Sequence, residues 1–107
     1  MANGVSRVNP AYGSAMELRA LQDLMAATYG EQDRARGVPA TVAWLTEELG
    51  ELAQAVRKGT PEQQLHELGD VLAWVASLAD QLGLSLEDAV ARYADGCPRC
   101  SSTPCTC

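Results

Sequence analysis

Three stretches read as capping boxes, a Ser or Thr followed three residues later by an acidic or amide side chain: Ser14-Ala-Met-Glu17, Thr60-Pro-Glu-Gln63 and Ser85-Leu-Glu-Asp88. In such a capping box the hydroxyl takes a free backbone N–H of the first helical turn, and the later side chain reaches back to the cap residue. Each box precedes apolar residues spaced three and four apart, the period of one helix face. Helix one carries Leu18, Leu21, Met25 and Thr28 on that face and is expected to stop near Gly30, with a charged loop over 31–38. Pro39 suits a first helical position. Helix two then runs to about Lys58 on a stripe of Val42, Leu45, Leu49, Leu52 and Val56, with Gly59 as its stop. Helix three turns Leu65, Leu68, Leu72, Val75, Ala79 and Leu82 inward and ends at Gly83, and helix four runs from Ser85 to about Asp95. Phe is absent and aromatics are 5%, so Leu, Val, Ala and Met must fill the interior, a diet that suits helices better than a β-sandwich. At 107 residues the chain reads as one all-α domain, an antiparallel bundle of about four helices. The expected division is an irregular arm at 1–13, the helical domain at 14–95 and a Cys-rich tail at 96–107.

The formal net charge of −6 argues against a nucleic-acid polymer as partner, because that needs a basic surface. An anionic small molecule remains compatible with acidic side chains if a cation bridges them. No apolar run approaches the ~20 residues of a membrane span. The first residues lack a signal-peptide hydrophobic region. The expectation is a soluble, cytoplasmic protein.

Helices two and three share one acidic design: Glu47-Glu48-Leu49-Gly50-Glu51 and Glu67-Leu68-Gly69-Asp70. At ~100° per residue, Glu48 and Glu51 stand roughly 60° apart on one face, and Glu67 and Asp70 repeat the arrangement. Each pair flanks the apolar stripe, so packing the stripes together brings the pairs to one rim of the bundle. A solvated acidic face is the commoner reason for such a run, and it usually comes with Lys or Arg one turn away. Asp23 has Arg19 there, Glu31 has Arg34 and Asp88 has Arg92, whereas Glu48, Glu51, Glu67 and Asp70 have no Lys or Arg at those positions. Their like-charge pairs cost about 0.2–0.5 kcal/mol each. A divalent cation offsets that repulsion, and all-carboxylate ligands select hard ions such as Mg²⁺ or Mn²⁺. Gly50 and Gly69 sit inside these helices at a cost of ~1 kcal/mol each relative to Ala, and close helix–helix packing is the ordinary reason for that.

The ordered pair Glu48-x-x-Glu51 and Glu67-x-x-Asp70, with "WLTEELGELAQAV" and "HELGDVLAWVASLADQLGLSLEDAV" around it, resembles the MazG-like, all-α nucleotide pyrophosphohydrolase superfamily over roughly residues 16–95. That resemblance implies Mg²⁺-dependent hydrolysis of a nucleoside triphosphate, either a deoxynucleotide or a non-standard nucleotide, to a monophosphate and pyrophosphate. It implies Glu48, Glu51, Glu67 and Asp70 as metal ligands. Glu47, the extra leading acid, then orients or deprotonates the attacking water or tunes the others. Glu47, Glu48 and Glu51 are thus the catalytic candidates. Some relatives grip a base between aromatics, which makes Trp74, one turn beyond Asp70, the base-contacting candidate. For Trp44, one turn before Glu48, core packing is the favoured reading. Lys58 and Arg36, with Arg57, Arg34 and Arg92 behind them, are phosphate candidates. His66, four residues before Asp70, reads as a surface residue or a partner to that acid. The resemblance also implies a homodimer or homotetramer. Phosphoribosyl-ATP pyrophosphohydrolase and dUTP- or dCTP-specific enzymes share the superfamily, and the residues do not separate them.

All four cysteines lie at the end, as Cys97-Pro-Arg-Cys100 and Cys105-Thr-Cys107. The pattern suits one tetrahedral Zn²⁺; a reduced flexible tail, or disulfides formed after isolation, are the other readings. A catalytic thiol is disfavoured, since no His or helix N-terminus pairs with any of them. The competing function is a non-catalytic helical oligomerisation module with a zinc-binding tail, because residues 42, 45, 49, 52 and 56 also follow a coiled-coil rhythm. That reading leaves the unpaired acids unexplained.

Overall fold

Two of the three capping signals act as helix starts. The Thr60 hydroxyl accepts from the Gln63 N–H while the Gln63 side chain takes the Thr60 N–H, and the Ser85 hydroxyl accepts from the Asp88 N–H. The computed structural model describes residues 16–107, so the Ser14 box and the 1–13 arm lie outside the described residues. The elements are α1 (Leu18–Arg36), α2 (Val38–Lys58), α3 (Pro61–Leu82), α4 (Leu86–Val90) and a 3-10 turn (Ala91–Tyr93), with no strand among the described residues.

The expected end of helix one near Gly30 is overturned, and so is the 31–38 loop. α1 runs through Gly30 to Arg36, and the link to α2 is Gly37 alone. Residues 31–36 are mostly good helix formers, and an isolated Gly is tolerated within such a run. The real stop is Gly37, whose φ of 92° is open to Gly and strained for other residues. The inner line of α1 shifts accordingly: Gly30 and Asp33 are buried and Thr28 is exposed. α2 ends at Lys58, and α3 ends at Gly83 in a left-handed cap. Helix four is shorter than expected, because its last turn tightens into the 3-10 turn.

α3 is the centre of the packing. α1 and α2 both lie on it and touch each other little. The two-residue link from α2 to α3 sets them as an antiparallel hairpin. Gln22 of α1 holds the start of α4 by donating to the Leu84 carbonyl and accepting from the Leu86 N–H. Arg19, expected beside Asp23, instead pairs with Glu87 of α4.

The expected inward stripes are only partly inward. On α2 the inner line is Thr41, Glu48 and Ala55. Val42, Leu49 and Val56 follow each of these by one residue, a rotation of ~100° that leaves them 44–63% exposed. On α3, Leu65, Leu68, Leu72 and Leu82 are likewise about half exposed, while Ala76, Ser77 and Ala79 are buried. The interior of a single chain is thus built of small side chains where α3 meets its neighbours.

Candidate functional site

The inner line of α2 carries a carboxylate into the seam with α3. Glu48 is half-buried there, Glu51 follows one turn on, and Glu67 comes from the facing helix. One carboxylate oxygen from each of the three lies within 4.8 Å of the others. Asp70 joins through Glu67, in a second group with His66 that meets the same limit. His66 Nε2 stands 3.2 Å from Asp70 Oδ2 and is itself exposed. Glu47 is exposed one turn from Glu51 and lies outside both groups.

No Lys or Arg pairs with Glu48, Glu51, Glu67 or Asp70 among the described residues. Buried Oε1 atoms of Glu48 and Glu67 accept no hydrogen bond. Burial lifts the Glu48 carboxyl above its ordinary value, and the charges of Glu51, Asp70 and Glu67 add to the shift, while the Trp74 indole N–H opposes it. Orphaned oxygens and mutual repulsion in a partly buried seam are the conditions that a hard divalent cation relieves, and the oxygen-only donor set fits Mg²⁺ or Mn²⁺.

Two clefts border the acids. The first, of about 260 Å³, is lined by Met25, Tyr29, Asp33, Arg36, Asp70 and Trp74 among others. The Arg36 guanidinium lies 4.9 Å above the Trp74 ring and donates to Asp33 Oδ1 at 2.7 Å. Asp33 is 2% exposed, its carbonyl is taken by Gln81, and its buried Oδ2 has no partner. The second cleft, of about 360 Å³, is lined by Glu51, Gln54, Ala55, Lys58, Gly59, Gln63 and Glu67. Asp70 therefore borders a pocket with Trp74 and Arg36, and Glu51 and Glu67 border a pocket holding a lysine.

Of the residues singled out in the sequence, Trp74 and Arg36 border the first cleft beside Asp70, and Lys58 borders the second. Trp44 does not pack in the core of the single chain. It is 47% exposed and lies parallel to Trp74, with ring centroids 6.1 Å apart and planes 11° from each other. Arg92 lies over Tyr93, and the Arg34 guanidinium lies against Gly30, so neither meets the acids. Gly50 and Gly69 do not mark a crossing within the chain, since a Cβ built on either meets nothing within 4 Å. Asp33, Tyr29 and Ser77 of the first cleft went unread. The signal for Asp33 was its place eight residues after Met25 on one helical face, which the assumed stop at Gly30 hid.

The four cysteines also converge, with their sulfurs within 4.8 Å of one another. The Cys100 thiol is drawn down to about 5, chiefly by the backbone and side chain of Thr106.

A family model for the MazG nucleotide pyrophosphohydrolase domain matches residues 36–99. That span contains all of the clustered acids, both Trp residues and Lys58. The chain is also similar to the uncharacterized protein YvdC of Bacillus subtilis (strain 168), at 36% identity over 50% of this chain and 66% of that protein. It therefore spans just under two thirds of the relative's length.

Proposed function

The chain belongs to the MazG nucleotide pyrophosphohydrolase domain family, and on that premise we propose that it hydrolyses a nucleoside triphosphate, a deoxynucleotide or a non-standard one, to the monophosphate and pyrophosphate with Mg²⁺. The observation that carries this reading is the convergence of Glu48, Glu51 and Glu67 with buried oxygens that have no donor. Glu48, Glu51, Glu67 and Asp70 would hold the cation, with Mn²⁺ as an alternative ion. Bound there, it would neutralise phosphate oxygens and acidify a water.

The chain's own residues divide the remaining work. Trp74 contacts the base from the lining of the first cleft, which receives the nucleoside. The unpartnered Asp33 Oδ2 accepts a hydrogen bond from a donor on that nucleoside, and Arg36, fixed by Asp33, covers the Trp74 ring. Lys58 meets the phosphate end of the substrate in the second cleft. Water oxygen bonds to the α-phosphorus as the α–β bridging bond breaks. The water's proton passes to a carboxylate not engaged with the cation, for which Glu47 is placed one turn from Glu51, and pyrophosphate carries the electron pair away.

The half-exposed Val42, Leu49, Val56, Leu65, Leu68 and Leu72 support assembly into a homodimer or homotetramer, with the α2–α3 hairpin as its surface. No helix among the described residues is long and apolar enough to cross a membrane. A purely structural oligomerisation module gives the orphaned carboxylates no purpose.

The test is pyrophosphate release from a panel of standard, deoxy- and non-standard triphosphates, with Mg²⁺ or with chelator. Turnover on at least one, abolished by chelator and lowered at least ~100-fold in Glu51→Gln, is expected. No turnover on any of them, or full turnover in the variant, overturns the reading.

A further inference from the structure

Residues 96–107 hold no apolar side chain except the cysteines and prolines, so no hydrophobic core orders them. They are nonetheless wound tightly. The Cys97 N–H bonds to the Ser102 carbonyl, the Ser101 N–H to the Cys97 carbonyl, and Gly96 and Ser101 adopt φ of 99° and 59°. A Cβ on Gly96 would meet the Ser102 carbonyl oxygen at 2.7 Å, so this return of the chain requires glycine.

What the winding achieves is the meeting of four sulfurs. Cys97 and Cys107 Sγ are 3.8 Å apart, Cys100 and Cys105 3.9 Å, and Cys105 and Cys107 3.3 Å. All four are free thiols. A tetrahedron of sulfurs at about 2.3 Å from a central Zn²⁺ has edges of about 3.8 Å. The Thr106 N–H points at Cys100 Sγ at 3.4 Å, the backbone-to-sulfur contact that stabilises a thiolate ligand. The family match stops at residue 99, so three of the four sulfurs lie outside the pyrophosphohydrolase domain's pattern.

We infer that Cys97, Cys100, Cys105 and Cys107 bind one structural Zn²⁺ that folds the last segment of the chain, as a centre separate from the carboxylate seam. Four thiolates select zinc over the hard ion of the other site, and metal binding replaces the missing core as the source of order.

The full chain, purified under reducing conditions without added metal, is analysed for metal content and for thiol reactivity. About one zinc per chain is expected, with all four thiols slow to alkylate and becoming reactive when a strong chelator removes the metal. Arg99 lies between the first two ligands and is exposed. Trypsin is therefore expected to cut after it at least ~10-fold faster in chelator than in the zinc-loaded protein. Cys100→Ser and Cys105→Ser should each lose the zinc while the far-ultraviolet signal of α1–α3 persists. A protein that contains no zinc after purification and takes up none when zinc is added, or one holding iron instead, overturns the assignment. So does a native mass showing two disulfides, or zinc retained in both variants. None of these readouts depends on nucleotide hydrolysis.

Discussion

Glu48 sits where a core side chain is expected, on the line of Thr41 and Ala55, and its raised carboxyl records the cost. The fold holds this proton to a higher pH than the unfolded chain, whose reference value is 4.5. Between the two values the folded state binds more protons, so metal-free stability falls as pH rises through the window above 4.5. Glu48→Gln removes the ionised form and its repulsion with Glu51 and Glu67. It should gain about 0.5 kcal/mol near pH 7 in chelator and lose that advantage below pH 4.5, where both states hold the proton. Urea melts of the two proteins at both values check this; a variant less stable than wild type near pH 7 would show that the carboxylate is not strained. The acids themselves were legible in the sequence, because what marked them was the absence of Lys or Arg one turn away, a local property of helix geometry. The order in which they converge was not. Asp70 meets Glu67 and His66 along its own helix, whereas the meeting of Glu67 with Glu48 and Glu51 is set by the α2–α3 packing.

At the scale of elements, caps decide where helices begin and a single glycine decides where the first one ends. Thr60 carries a reciprocal cap at the start of α3, two residues from Lys58. Thr60→Ala should cost about 1 kcal/mol in a denaturant melt while leaving Mg²⁺ affinity unchanged; an unchanged melt would show that the turn is held by Pro61 and Gly59 instead. Gly59 tolerates little else, as a Cβ there would meet the Ala55 carbonyl at 2.8 Å. Capping chemistry made the α2–α3 hairpin readable from sequence. The extent of α1 was misread at Gly30 because a helix interior and a helix end can present the same glycine. The outcome depends on the burial of Gly30 and Asp33 against the rest of the fold, which only tertiary packing supplies. The first cleft depends on the same extension of α1, since Gln32, Asp33 and Arg36 beyond Gly30 complete its lining.

At the scale of the molecule, the α2–α3 hairpin has two faces of different character. One closes on the carboxylates, and the other presents Val42, Leu49, Val56, Leu65, Leu68 and Leu72 half exposed. The sequence marks all of these as apolar stripe, and period alone does not say which of them the single chain buries; in the proposed assembly a second copy covers the rest. Light scattering should report at least a dimer, and Leu68→Glu together with Leu49→Lys should yield monomers that remain helical. Monomeric wild type would remove the assembly. In the proposed reading a cation ties α2 to α3 across their repulsion, and calorimetric titration of Mg²⁺ into wild type, Glu48→Gln and Glu67→Gln reads that link most directly. Saturable binding by wild type, weakened at least ~10-fold by either substitution, is the predicted result. Absence of binding, or equal affinity in all three proteins, would contradict a metal centre built from these two helices.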